Sequence, residues 1–270
     1  MNRFARFAAS ALALSLVPAM LMGCGKKETA ASSDLDYIKQ KGTLVVGITD
    51  FAPMDYQDAD GSWIGFDADL AKAFAESLGV EVQFQTIEWD NKVMELDGKT
   101  IDVVWNGMTL TDEVTSSMAC SNAYCNNAQV VILPADKAAN YGTVDSLSGL
   151  RFAVESGSAG MAQAEEKGLT YTDVVDQATA LLEVKSGTAD AAIIDSLMAG
   201  AMVGEGTNYA DLAIGPVLNA ETGEQYGVGF RKGSDAAATL NEFFAEQWES
   251  GALQTLAEQY GVQAALIEQK

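Results

Sequence analysis

The segment "GFDADLAKAFAESLG" (65–79) places Phe66, Leu70, Phe74 and Leu78 four residues apart and stops at Gly79. That spacing is one stripe of an amphipathic helix with a glycine stop. On either side lie runs of another kind. "TLVVGI" (43–48) is short and β-rich, and "VEVQFQTI" (80–87) alternates with period two. A helical period between two strand patterns is a β-α-β unit, which demands a crossover between parallel strands. The pattern continues outward, with "WDNKVMELDG" (89–98) a short helix and "IDVVWNG" (101–107) a third strand.

The same order returns later in the chain. "RFAVES" (151–156), "GSAGMAQAEEKG" (157–168), "YTDVVD" (171–176), "ATALLEVKSG" (178–187) and "ADAAIID" (189–195) read strand, helix, strand, helix, strand. Two similar units predict two α/β lobes with mostly parallel sheets. Between them, "NNAQVVILPADKAANYGTVDSLSG" (126–149) reads as a strand and a polar loop. After them, "LAIGPVLNAETGEQYGVGFRKGS" (212–234) reads as two more strands. If both connections are crossings, lobe I is 35–127, lobe II is 128–220, and 221–270 returns to lobe I, ending in the helical run 235–261.

At the other end, Arg3 and Arg6 precede "FAASALALSLVPAML" (7–21), too short for a comfortable membrane span and ending in small residues, as an export signal does. "LMGC" (21–24) resembles the bacterial lipobox, whose cysteine is lipidated after cleavage. That resemblance implies a signal peptide over 1–23, a lipid on Cys24 and a tether over 24–34. The tether, "GKKETAASSD" (25–34), is small and polar without periodicity. The expected location is the extracytoplasmic face of a bacterial membrane.

Composition removes several classes of function. The 270 residues carry 16 basic and 38 acidic side chains, a net charge of −22. Such a chain repels phosphate backbones and anionic lipid, so neither nucleic acid nor a membrane surface beyond the lipid itself is an expected partner. There is no histidine. Ser-His-Asp and Cys-His catalysis and imidazole zinc sites are therefore excluded. Cys120 and Cys125, in "CSNAYC", have no second cysteine pair to complete a thiolate metal site. A local disulfide between them and two free thiols both stay open, since a five-residue separation restricts the geometry. Neither metal nor cofactor is expected.

Several stretches, in order, resemble the extracellular solute-binding proteins of polar amino acid ABC importers: "GTLVVGI" (42–48), "FAPMDYQDADGSWIGFDADLAKAFAESLG" (51–79), "DGKTIDVVWNGMTLT" (97–111), "SNAY" (121–124), "LSGLRFAVESGSAG" (147–160), "SGTADAAIID" (186–195), "YGVGFRKGS" (226–234) and "WESGALQTLAEQYG" (248–261). The resemblance implies the type II periplasmic-binding-protein fold, two α/β lobes joined by two hinge crossings and closing on a small polar solute. The solute would be an amino acid or related amine, delivered by a monomeric protein to a permease in the membrane. By the same resemblance, Phe51 would cover the solute, with Trp89 on the same wall. Asn106, Gly107 and Thr109 would hold its head. Ser158, Ala159 and Gly160, in "SGSAG", would offer amides at a helix N-terminus. Asp195 would pair with an α-ammonium; an acid at the end of a buried strand has few structural explanations.

One element of the family pattern is missing. A T-x-x-R motif usually supplies a guanidinium for the solute carboxylate, and here the sequence is Thr111-Asp112-Glu113-Val114. Three substitutes are open: Lys92, one helical turn beyond Trp89, supplies the charge; the "SGSAG" amides with Thr109 suffice; or the solute has no α-carboxylate. The ordinary reading of Lys92, a solvated surface lysine on a short helix, stands ahead of that role. Two rival classes also stand. One is an enzyme on the same fold, similar to cyclohexadienyl dehydratases, with Glu155 as general acid. The other is a ligand-sensing domain, although the chain shows no transmembrane or signalling segment fused to it.

Overall fold

The structure is a computed structural model that describes residues 33–270. The export signal, Cys24 and the tether up to residue 32 lie outside the described residues. Ser33, assigned to the tether, accepts a hydrogen bond from the Asp36 amide and caps an unanticipated helix, α1 (Asp34–Lys41), which ends at Gly42 in the left-handed conformation.

The first lobe continues with β1 (Thr43–Ile48), a hairpin of β2 (Tyr56–Gln57) and β3 (Trp63–Ile64), α2 (Phe66–Leu78), β4 (Glu81–Thr86), α3 (Lys92–Asp97) and β5 (Val103–Thr109). A short α4 (Asp112–Ser117), β6 (Ala119–Cys120) and β7 (Cys125–Asn127) follow. The second lobe holds β8 (Gln129–Pro134), β9 (Arg151–Glu155), α5 (Ala159–Glu166), β10 (Thr170–Val174), α6 (Gln177–Ser186), β11 (Ala191–Asp195), α7 (Ser196–Met202) and β12 (Leu212–Val217). The chain then returns through β13 (Glu224–Phe230), α8 (Ala236–Glu249) and α9 (Ala252–Tyr260).

The two sheets share one plan. In the first the order is β4-β1-β5-β13-β6, and in the second β10-β9-β11-β8-β12. In each, three parallel strands are joined by one strand running against them, β13 or β8, and that strand pairs antiparallel with a further one, β6 or β12; β7 also pairs with β13. The sheets are thus less uniformly parallel than the repeating pattern suggests, because the strands that cross between lobes run backwards. Central strands are covered on both faces: all five residues of β11 are buried, as are the first six of β5, whereas edge strand β4 alternates.

Helix α2 buries Phe66, Leu70 and Phe74, the stripe read from the sequence. Phe74 stacks at 5.4 Å on Phe243 of α8, and Trp105 of β5 meets Phe244 edge-on at 5.7 Å. The C-terminal helices thereby seal the first sheet with aromatic area. A buried polar junction secures the opposite end of the lobe: Arg231 pairs with Asp34 and Asp102, and Lys41 also reaches Asp102.

Cys120 and Cys125 are both free thiols. Each sits opposite β13, Cys120 beside Gly229 and Cys125 beside Tyr226. Three residues of strand separate those partners by roughly 10 Å, beyond the reach of a disulfide. Among the described residues no helix is long and apolar enough to cross a membrane, and no group of three ligating side chains could hold a metal ion.

Candidate functional site

The C-terminal ends of parallel strands from both sheets converge on one cavity of about 240 Å³. That is where loops leave an α/β sheet and where ligands of such sheets sit. Thr49 follows β1, Asn106 to Thr109 close β5, Glu155 ends β9 and Asp195 ends β11; all line the cavity.

On the first lobe's wall, Phe51 is 3 % exposed and lies edge-on to Tyr226 at 6.3 Å. Gly107 adopts φ +53°, and a β-carbon there would come within 2.3 Å of the Phe51 ring, so this turn admits only glycine. The Gly107 N–H does not face the cavity as a free donor. It donates to Asp67 Oδ2 at 2.6 Å, and the Tyr124 hydroxyl donates to the same oxygen at 2.7 Å. Asn106 likewise uses its side-chain oxygen to accept from the Thr49 amide. The end of β5 is therefore held from behind, and Thr109, whose hydroxyl donates to Glu224 at 3.4 Å, carries its polar side chain at the cavity.

Val114, at the position of the missing arginine, is buried among Ile87, Trp89, Leu96, Met108 and Met118. Thr111 caps α4 by accepting from the Val114 amide at 3.2 Å, so Asp112 and Glu113 stand in the helix's first turn at the cavity rim. Trp89 belongs to this apolar cluster and also lines the cavity.

Lys92 is not a surface lysine. It is 9 % exposed, with its ammonium 5.0 Å above the Trp89 ring, and it donates to the carbonyls of Trp89 at 3.2 Å and Gly157 at 3.1 Å. Gly157 belongs to the second lobe, so Lys92 ties the two walls together. Burial lowers its pKa, while Glu113, Glu155 and Asp90 pull it back up.

On the second wall, Ser158 caps α5 by accepting from the Met161 amide at 3.1 Å, and Ser158 and Ala159 line the cavity. Gly160 does not. It is buried toward the sheet, where an added β-carbon would meet Gln129 and Ile193, because the second residue of the helix has already turned away from the cleft.

Asp195 is 4 % exposed and embedded in side-chain amides. Asn127 donates to its Oδ1 at 2.6 Å, Gln129 donates to the same oxygen, and Gln177 donates to Oδ2 at 2.7 Å. Asn127 and Gln129 also donate to Glu224, at 3.1 and 2.9 Å. Two carboxyls thus share two amides at the crossing between lobes. Burial, then repulsion from Glu224, raises Asp195 to about 7, and burial also raises Glu224. Glu155 is 3 % exposed; burial and the nearby charge of Asp195 raise it to about 8.

Sequence reading singled out Glu155 only as a candidate general acid, and it passed over Asn127, Gln129, Gln177 and Glu224. Asn127 and Gln129 precede the apolar run "VVIL" and Gln177 opens a helix, but single polar residues at element ends are commonplace, and only their convergence on Asp195 distinguishes them.

The profile of the bacterial extracellular solute-binding proteins, family 3, matches residues 44–263. The L-cystine-binding protein TcyJ of Escherichia coli K12 is 29 % identical over 262 residues, 96 % of this chain and 97 % of its own. A crystal structure of a mutant of ArgBP from T. maritima superposes with a TM-score of 0.78 at 34 % identity, covering 84 % of this chain and 99 % of that one. The ancestral amino acid-binding protein AncCDT-1, described as a precursor of cyclohexadienyl dehydratase, superposes with a TM-score of 0.76 at 30 % identity over 84 % of this chain and 99 % of its own. With two sheets of one plan facing a common cleft and a profile match across nearly all the described residues, this chain belongs to the bacterial extracellular solute-binding proteins, family 3, and has their type II periplasmic-binding-protein fold.

Proposed function

We infer that this protein captures one small polar solute, an amino acid or related amine, between its lobes and delivers it to an ABC permease without chemical change. In this reading it acts as an exported monomer tethered through a lipid on Cys24. The observation that carries the reading is the cavity itself, whose walls come from strand ends of both lobes and whose buried Asp195 has no cationic partner among the described residues. A closed pair of lobes excludes water from the solute and gives a permease one surface to recognise. The names of the relatives, cystine- and amino acid-binding proteins, support the same class of solute.

Within this reading Asp195 accepts from the solute's ammonium, Phe51 and Trp89 supply apolar walls, and Thr109 with the first amides of α5 orients the polar head. Lys92 has used two of its three N–H donors on carbonyls, and the third is the cationic donor for any solute carboxylate. The test is calorimetry and thermal unfolding with a panel of amino acids and amines. A matching solute raises the melting temperature as its concentration exceeds its dissociation constant. A panel without a single shift would sink the capture reading.

One observation favours a second reading. Glu155, protonated near neutrality and facing the cavity, has the form of a general acid, as a dehydratase would need. Mass spectrometry after incubation with the bound solute separates the two, since capture returns the solute unaltered.

A further inference from the structure

Buried carboxylates in this protein come in two kinds. Asp102 is fully buried, but Arg231 and Lys41 both pair with it. Glu155 is nearly as buried, lines the cavity, and holds its Oε1 without a hydrogen-bond partner. An ionised carboxylate left so is costly; Asp55 and Asp67 also leave carboxyl oxygens unpartnered, but neither lines the cavity, whereas Glu155 does and can be met there by a ligand.

Glu155 also has a neighbour of the same sign. Strands β9 and β11 run parallel and adjacent, with Phe152 beside Ala191 and Ala153 beside Ala192; continued, this register sets Glu155 beside Ile194, one residue short of Asp195, and both carboxyls line the cavity with the charge of Asp195 acting on Glu155. Asp195 is already nearly full, two amides on Oδ1 and one on Oδ2 leaving a single acceptor site for a ligand. An ammonium brings three donors and a guanidinium five, so Asp195 alone cannot satisfy either. Glu155 Oε1 is the empty acceptor next to it.

The charge balance runs the same way. Four acids line the cavity, Asp112 and Glu113 at the rim and Glu155 and Asp195 within, against one base, Lys92. Where the family pattern would place a guanidinium there is the apolar Val114. With Glu155 and Asp195 ionised and Lys92 protonated, a zwitterion leaves the inner cavity one negative charge in excess, while a solute of charge +1 neutralises it. The groups facing Glu155 are Asp195 from β11, Asp176 from the cap of α6, Gln177, and Lys92 from across the cleft; Glu224 from β13 stands behind Asp195.

Resting on the capture reading above, we propose that the cleft selects a solute of net positive charge, a diamine or an amino acid with a cationic side chain, and seats one of its cationic groups between Asp195 and Glu155. Both carboxyls hold protons near neutrality in the empty cleft, so seating the cation expels protons.

Calorimetry at pH 7.5 with ornithine, putrescine and norleucine tests this. Putrescine is ornithine without its carboxylate, and norleucine is ornithine with a methyl in place of the side-chain ammonium. The expected result is that ornithine or putrescine binds at least a hundredfold more tightly than norleucine, the stronger of the two revealing whether a carboxylate is also read. Glu155→Gln is expected to weaken that ligand more than tenfold. Titrations of the unaltered chain in two buffers of different ionisation enthalpy are expected to show proton release, a readout independent of whether the variant folds. Norleucine or cystine bound as tightly as either cation, undiminished cation binding by a folded Glu155→Gln, or no protons released would each overturn the proposal. Tight binding of neutral amino acids would do so while leaving the capture reading standing; failure of every amino acid and amine to bind would remove both.

Discussion

Asp195 and Lys92 carry the opposed charges of the cleft, and single substitutions separate their roles. Asp195→Ala leaves a solute cation without its acceptor and orphans the amides of Asn127, Gln129 and Gln177, so every good ligand should weaken by more than a hundredfold in calorimetry. Tight binding retained would mean that the solute is oriented differently. Lys92→Ala should cost carboxylate-bearing solutes more than tenfold and leave amines unchanged or improved, because only the former use its third donor. Val114→Arg, which restores the family pattern, should help α-amino acids only if a carboxylate is received there; it also forces a guanidinium into an apolar cluster, so its melting temperature must be followed alongside. Gly107→Ala is a structural control: its left-handed φ and the 2.3 Å approach to Phe51 predict a loss of roughly 1–3 kcal/mol in denaturant unfolding.

The turn from β9 into α5 joins the lobes as well as lining the cavity. Gly157 has φ +68°, its carbonyl accepts from Lys92, and an added β-carbon would lie 2.8 Å from the Asp90 Cα. That clash is backbone against β-carbon across the cleft, so the lobes must part to relieve it. Gly157→Ala should therefore weaken binding tenfold or more, and in small-angle scattering the ligand-saturated variant should stay more extended than the ligand-saturated parent. Equal dimensions for the two would show that the contact does not set closure. The crossing strands act beside it: Asn127 and Gln129 donate to both Asp195 and Glu224, so the carboxylate proposed to receive the solute is bonded directly to the strands that cross between the lobes.

For the molecule as a whole, several carboxyls are held in their neutral form. Burial raises Asp67 and Asp195 to about 7 and Glu155 to about 8, and burial together with the charge of Asp67 pushes Asp55 well above the ordinary range. Unfolded, these groups titrate near ~4. Between those limits the folded chain holds protons that the unfolded chain releases, so stability is full at the acid end and is lost as pH rises through 7 and 8. The melting temperature of ligand-free protein should fall by roughly 5–10 °C between pH 5 and pH 8.5. Glu155→Gln should flatten part of that slope, and a temperature that rises over this range would contradict the burial of these acids in neutral form.

What the chain determines locally was readable without coordinates. Of the stripe Phe66, Leu70, Phe74, Leu78 the first three become the buried face of α2 and Leu78 packs half-buried at its end, and the alternation of apolar runs with helical periods becomes two α/β sheets, because both depend on spacing within a dozen residues. Most of the residues read as cleft-lining do share one cavity, since loops at strand ends must fall on the same side of a parallel sheet. Only the tertiary structure decided how they are used. Gly107 turns its amide to Asp67, 40 residues away; Lys92 reaches Gly157 across 65; Gln129 donates both to Asp195 and to Glu224, the latter across 95. Gly160 faces the sheet although its two predecessors face the cleft, and Cys120 and Cys125 stand too far apart along β13, which each faces, to join. Each of these depends on which groups burial brings together after the lobes have formed, and a hydrogen bond or a charge balance between distant residues leaves no period in the sequence to read.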